Sequence, residues 1–587
     1  MPARLTHALA GRRWPVVFLV LLSLGVVLPG CGSSESKTAK TPIDAASLVD
    51  AVGDSVVTSD TSDTSTAADS AALDVGVQPA DKPLSAVEAP AWVTPTGWAA
   101  AVQFSGGVDA IGAAVADGSF VAPEPNTKAY GKVWVDAAPK AGVIGPFGNG
   151  GASVWLVGHV YVPQDTAAIA RLDRVSSVQV GGTSGAPGWR APGDIYGHGL
   201  ARVPLRLVKG DNVLILRARG GQKIRVTIET SEAELHLNRH DWTRPELREG
   251  AKKPLWLGLP LLEMTGKAQG SVRCRVMADA HWKETEVVLP GIAPLAVTHA
   301  SFRLDPKTSE PEWAGATAVT KKKIPVRLRV ESLDSGFAYE HEVELAIVTK
   351  DAKFRQTFRS PVDLSTQFYG VVPPSDFDAK KSYGVALSLH GAGVEGKGQA
   401  NAYSPKDWMY VIAPTNRRRY GFDWEEWGHL NGLAALADAT SRFSLDRLRT
   451  YVTGHSMGGH GTWQFGVHHA GMFAVVGPSA GWDSFYTYGG SKKPTGPFAR
   501  ARAHSDTSKF MSNISNRSIY VIHGDADNNV PISEGKALRA KAAQFSTDVQ
   551  HHWEPGAGHW WNGDKAAGAD CVDWPALFAM MQKTTLD

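Results

Sequence analysis

A serine hydroxyl attacks a carbonyl at neutral pH when an imidazole takes its proton and a carboxylate orients that imidazole. The 587-residue sequence carries these three groups, in the order serine, aspartate, histidine, near its C-terminus. Ser456 lies between Gly454 and Gly458 in RTYVTGHSMGGHGTW (449–463). A buried-strand pattern precedes it and a run able to start a helix comes after it. That is the strand–turn–helix setting that exposes a nucleophile on a sharp turn. The flanking glycines remove Cβ atoms where strand and helix must approach closely. A second Gly-x-Ser-x-Gly string, 477–481, centres on Ser479. Pro478 stands directly before that serine and no helical run comes after it, so it reads as the end of the next strand.

Downstream, HGDADNNVP (523–531) offers Asp525 and Asp527. Asp527 is the better orienting acid, being farther out on the loop, while Asp525 suits a turn or cap. His559 comes next, in a glycine-flanked loop, GAGHWW, from which an imidazole can reach the serine. His551 and His552 belong to the preceding strand. The oxyanion of an acyl intermediate needs two backbone N–H groups. Met457, next to the serine, is one expected donor. Ala392, in the LHGAG string (389–393), is the other, with Gly391 as the alternative and His390 shaping the loop.

The surrounding elements are read from pattern. From about residue 366, strand-like runs (383–391, 407–415, 449–456, 473–480, 518–524) alternate with helical ones (430–443, 457–469, 532–545, 574–583). This predicts a mostly parallel sheet with helices on both faces over 366–587, with chemistry at the carboxyl ends of the strands. From residue 91 to about 365 the chain instead shows short alternating runs between Gly, Pro and Asn turns. These predict two β-sandwich domains, jelly-roll-like over 91–231 and immunoglobulin-like over 232–365, with 200–230 as a meander. No fixed repeat of the kind a propeller needs is present.

Residues 1–31 carry three arginines, then the apolar run WPVVFLVLLSLGVVLPG, then Cys31. The run is shorter than the ~20 residues of a spanning helix and fits a signal-peptide core. Residues 32–90 hold ten acids against three lysines and almost no aromatic residue. Such a segment buries too little apolar surface to order itself and reads as a linker. Cys274 and Cys571 read as free or buried thiols in separate domains. The net charge of +2 is spread thinly, so nucleic acid is not an expected partner. No cofactor and no metal site is expected, since no cluster of ligating residues stands at ligand spacing.

With these motifs in place, the chain resembles the α/β-hydrolase superfamily over roughly 366–587. Within it, the chain is similar to bacterial proteins of the prolyl oligopeptidase family and to the neighbouring polyhydroxybutyrate-depolymerase-type esterases. LHGAG, GHSMGGHGTW, HGDADNNVP and GAGHWW carry the resemblance. It implies attack by Ser456, proton shuttling by His559 supported by Asp527, a covalent acyl-enzyme and its hydrolysis. The ending Leu28-Pro29-Gly30-Cys31 resembles the bacterial lipobox, which implies lipidation of Cys31 and an exported, membrane-anchored protein. Gly32 after that cysteine points to the outer membrane.

Three functions then compete: a secreted serine peptidase on short peptides, an esterase on acylated polysaccharides or polyesters, and an inactive, glycan-binding surface lipoprotein. Trp560, Trp424 and Trp427 are the expected substrate-binding aromatics, with Trp561 beside Trp560 as a further pocket wall. Arg417, Arg418 and Arg419 offer a carboxylate clamp. The segment 482–510 is a candidate lid. Trp189, Tyr196 and Trp242 are candidate glycan contacts in the leading β domains.

Overall fold

The computed structural model describes residues 85–86, 91–95 and 110–586, apart from 138, 141, 148–152, 182–198, 249–252, 308–322, 418–420 and 564–567. Cys31 and nearly all of the expected leader and linker lie outside the described residues, as do Trp189, Tyr196, Arg418 and Arg419.

The leading β region forms two pairs of sheets. In the first pair, a sheet built on Thr166–Asp173, Ala201–Leu207 and Arg225–Thr230 faces one built on Ser153–Val162, Val175–Gly181 and Gly210–Arg219. Alternate residues of both meet in one core, including Leu156, Val160, Ala170, Val203 and Leu214. The expected meander over 200–230 does not form. Ala201–Leu207 pairs with Thr166–Asp173, while Gly210–Arg219 pairs with Ser153–Val162 in the opposite sheet. The short turn between them is a crossing, fixed by buried Asn212, which accepts from Val208 N–H and donates to the Val208 and Val160 carbonyls. In the second pair, a three-stranded sheet centred on Leu255–Glu263 faces a five-stranded one containing Lys323–Ser332 and Ala338–Val348. The two buried cysteines are free. Burial raises each thiol to about 12.

The C-terminal domain is an eight-stranded sheet. Its strands are β1 (Phe354–Arg359), β2 (Thr366–Val372), β3 (Tyr383–Leu389), β4 (Met409–Pro414), β5 (Leu445–His455), β6 (Val475–Ser479), β7 (Ser518–Gly524) and β8 (Val549–Glu554). Their spatial order is β1-β2-β4-β3-β5-β6-β7-β8. β1–β2 and β2–β4 pair antiparallel, and the remaining pairs are parallel. β1 lies before the expected boundary at 365/366. FRQTFR shows little apolar alternation in sequence, yet Phe354 and Phe358 enter the core of this domain.

Every residue of β3 and β4 is buried, as a sheet covered on both faces requires. After the short helix α1 (Gly396–Asn401), one face carries helices α2 (Glu426–Arg442), α3 (Met457–His468) and α4 (Ile532–Ala542), through Leu436, Trp463 and Leu538. The other carries α5 (Pro575–Lys583), through Leu577 and Phe578. Val385 and Leu387 feed the first core and Ala386 the second, in step with the two-residue pleat. The loops after β3, β4, β5, β6, β7 and β8 therefore gather at one rim, where the predicted chemistry lies. No helix among the described residues is long and apolar enough to cross a membrane.

Candidate active site

β5 runs buried to His455 and α3 begins at Met457. Ser456 between them has φ +59° and ψ −119°. That region is costly for a residue with a Cβ, of order 1–3 kcal/mol, and close packing holds it there. A Cβ on Gly458 would fall on the Leu389 carbonyl, and one on Gly454 would lie 2.5 Å from the same oxygen. Ser456 N–H is fixed to the Ser479 carbonyl at 2.9 Å. The turn thus lifts the Ser456 hydroxyl out of the sheet plane.

The loop after β8 brings His559 to that hydroxyl, with Nε2 2.8 Å from Ser456 Oγ. On its other side, Nδ1 lies 2.7 Å from Asp527 Oδ2. A carboxylate only accepts, so Nδ1 carries the proton, and Nε2 is left to accept from the serine. Asp527 has a fully buried side chain. Burial alone would raise its pKa. Hydrogen bonds from His523, His559 and the Asn529 amide outweigh this and hold it well below the usual carboxylate range. Its other oxygen accepts from Asn529 N–H at 2.8 Å and Val530 N–H at 3.0 Å. Asp525 is spent on the turn, accepting from Gly556 N–H at 2.6 Å. The arrangement can deprotonate the serine as it attacks and return the proton to a leaving group.

Met457 opens α3, where the first amides have no partner within the helix. Gly391, after β3, passes beside the serine: a Cβ there would lie 3.4 Å from Ser456 Cβ. Ala392 comes next, on the exposed side of the turn.

Three other histidines support the site, and sequence reasoning missed their roles. His523, at the end of β7, points Nε2 at the Val530 carbonyl (2.9 Å), with Asp527 Oδ2 at 3.3 Å. It belongs to the same HGDADNNVP string as Asp527, which was the available signal. His455 lies under His559, ring centroids 4.8 Å apart, with Nδ1 3.0 Å from Ser479 Oγ. Burial, and then the nearby His559, keep its pKa well below the ordinary value, so it is neutral. His460, one turn into α3, has no exposed side-chain surface. Its Nδ1 meets the Trp482 carbonyl at 3.0 Å and its Nε2 meets Glu425 Oε1 at 3.1 Å. Both acceptors are oxygens, so both nitrogens donate. The ring also stacks on Trp482, centroids 5.0 Å apart.

The expected substrate aromatics fare differently. Trp560 is 48% exposed, with its ring edge-on to His455 at 5.1 Å, at the rim beside His559. Trp561 turns the other way and packs on Trp574. Trp424 has no exposed surface. Its indole N–H donates to the His390 carbonyl at 2.9 Å and its ring packs against Gly461, so it is a structural prop for the oxyanion loop and cannot touch substrate. Trp427 is exposed but lines a separate depression of about 510 Å³ with Leu430, Gln464 and His468, which no member of the triad borders. Arg417 ion-pairs with Asp363 and covers the Trp427 ring, so it is not a free clamp. In the leading domains, Trp242 packs on the second sandwich core, and the Arg244 guanidinium sits 4.3 Å from its ring centroid. That face is not open to a sugar.

Residues 417–573 match the prolyl oligopeptidase family. The C-terminal region holds a prolyl oligopeptidase family domain. With the serine, histidine and aspartate within hydrogen-bond reach, this domain carries the side-chain arrangement of serine hydrolase chemistry. A protein of Arthroderma benhamiae described as an uncharacterized secreted protein is 24% identical over 217 residues, 32% of this chain. This chain spans 23% of that relative's length. Among solved structures, a thermostable esterase is similar at 14% identity and TM-score 0.31, covering 58% of this chain and 99% of its own. A ferulic acid esterase from Anaeromyces mucronatus is similar at 17% identity and TM-score 0.28, covering 40% and 90%.

Proposed function

We propose that the protein is an exported serine peptidase that cleaves short peptides through an acyl-enzyme. Ser456 is the nucleophile, His559 the general base and then acid, and Asp527 the orienting carboxylate. The amides of Met457 and Ala392 receive the oxyanion. The observation carrying this reading is the continuous proton path from Ser456 Oγ through His559 to Asp527, at 2.8 and 2.7 Å. The family match of residues 417–573 supports peptide as the substrate class. Export rests on the leader-like sequence of residues 1–31, with Cys31 as the lipid attachment point. The two leading sandwiches are proposed as separate domains ahead of the catalytic one.

The deciding experiment incubates the full chain with aminoacyl 4-nitroanilides and with simple 4-nitrophenyl esters, beside a fluorophosphonate probe. Nitroanilide turnover with probe labelling at Ser456 is expected. Labelling with ester turnover alone would overturn the peptidase reading and leave a carboxylic ester hydrolase.

A further inference from the structure

The long connection between β6 and β7 stands apart in charge. Residues 484–505 hold Lys492, Lys493, Arg500 and Arg502 and no aspartate or glutamate, in a chain whose overall charge is only +2. All four cations are exposed. The acid that flanks the stretch does not cancel them. Asp506 is buried and already shared between Lys493 at 3.4 Å and Lys509 at 3.3 Å.

Among these cations an aromatic ring faces water. Phe498 is 67% exposed, more than any other phenylalanine or tryptophan among the described residues. Gly496, at φ +60°, turns the chain into the short helix Pro497–Ala501, of which no residue is buried. Its phenylalanine therefore adds nothing to the core. The Arg502 amide donates to the Phe498 carbonyl at 3.1 Å, so the two residues, four apart, stand on one side of that turn. A single exposed ring is ordinary on a protein surface. A ring set among four cations, with no acid in the stretch, has the composition of a segment that lies in a lipid interface. The inner part of the same connection is fixed to the site. Tyr488 donates to Asn529 Oδ1 at 2.9 Å and stacks on Trp482 at 4.4 Å, and the Asn529 amide in turn donates to Asp527.

We propose that Phe498 with Lys492, Lys493, Arg500 and Arg502 is a docking surface for an anionic phospholipid membrane, the ring entering the headgroup layer while the cations meet the phosphates. An acidic polymer would satisfy the cations and leave the ring in water, whereas a lipid interface takes both. The export and Cys31 attachment proposed above supply the setting. One acyl chain alone binds a membrane marginally, and a basic patch is the second signal that makes anchoring stable. The inference borrows that setting, but its test needs neither the lipid anchor nor the reaction of the triad.

The test places a polarity-sensitive dye on Phe498→Cys in the full chain, the dye standing in for the ring. Cys31→Ser leaves no other accessible thiol, since Cys274 and Cys571 are buried. The dye reports position 498 alone, so insertion of the apolar leader does not register. Phosphatidylglycerol vesicles should shift its emission to the blue and phosphatidylcholine vesicles should not. Salt at about 1 M, where charges are screened within ~3 Å, should abolish the shift. Arg500→Gln with Arg502→Gln should raise the lipid concentration at half-shift by about 10- to 30-fold, at an unchanged melting temperature. A dye that stays in water with phosphatidylglycerol, an equal response to phosphatidylcholine, or a response to soluble polyglutamate but not to vesicles overturns the inference. The last result would mark an acidic polypeptide as the partner instead. None of these results bears on Ser456, which fluorophosphonate labelling tests separately.

Discussion

Two serines in this molecule sit in the same five-residue string and have opposite fates. Ser456 stands at a strand-to-helix turn with φ +59° and presents its hydroxyl to His559. Ser479, in Gly477-Pro478-Ser479-Ala480-Gly481, ends β6 with 1% exposure. Its hydroxyl donates to the Cys571 carbonyl at 2.5 Å and meets His455 Nδ1. One hydroxyl is held ready to lose its proton, and the other is consumed by hydrogen bonds. The glycines do not decide between them. The element C-terminal to each string does: α3 begins directly after Ser456, whereas an irregular segment leads away from Ser479. The two are also joined, since Ser456 N–H donates to the Ser479 carbonyl. The buried serine is part of the frame on which the exposed one rests.

The contrast breaks most sharply by removing each hydroxyl in turn. Ser456→Ala should lower kcat by about 10⁴–10⁶ and abolish fluorophosphonate labelling; an unchanged rate would transfer the nucleophile elsewhere, with Ser479 the obvious heir. Asp527→Asn, which leaves the shape intact and disturbs the His559 tautomer, should cost about 10³–10⁴ in kcat. Ser479→Ala should keep the Ser456 labelling and instead lower the unfolding free energy by about 1–3 kcal/mol, from two buried partners left unsatisfied. A denaturant titration measures it, and an inactive but equally stable variant would contradict the division of roles.

Asp423 offers a smaller test, with a defined sign. Its folded pKa, about 6, lies above the unfolded value of 3.8. Between these values the folded protein holds a proton that the unfolded chain has released, so stability falls as pH rises through that window. Asp423→Asn should therefore stabilise the protein by about 1–2 kcal/mol at pH 7, allowing for partial screening, and by nothing measurable at pH 4. Thermal melts at the two pH values check this. Least affected should be Trp427→Ala, with kcat/KM within about twofold, because the ring borders a depression apart from the triad.

Ser456, Asp527 and His559 are legible in the sequence because each sits in a short string that also encodes its own turn. The parallel sheet is legible because β3, β4 and β7 are continuous apolar runs. The features that escape depend on distant partners. Glu425 and His460 are 35 residues apart in sequence and meet through a hydrogen bond that no local pattern announces. Trp424 reads as exposed among charged neighbours, yet its positive φ turns the ring inward onto His390 and Gly461, which no periodicity reports. The Lys-Gly-Asp-Asn stretch at 209–212 announces a turn but not which sheet the chain will enter. β1 falls on the other side of the expected boundary because FRQTFR carries only two apolar side chains, Phe354 and Phe358, among charged and polar ones, and both turn into the catalytic core.

That edge strand has a mechanical consequence. Arg355 N–H in β1 donates to Glu246 Oε2 of the second sandwich at 2.7 Å, the Arg355 carbonyl accepts from Glu246 N–H at 3.0 Å, and Thr357 Oγ1 accepts from the Trp256 amide. Glu246 also ion-pairs with Lys397, just beyond the oxyanion loop. Sandwich and catalytic sheet are stitched along a shared seam. Calorimetry should show them melting in a single endotherm, and a chain trimmed to begin at residue 366 would expose the raw margin of β2 and favour clumping over folding.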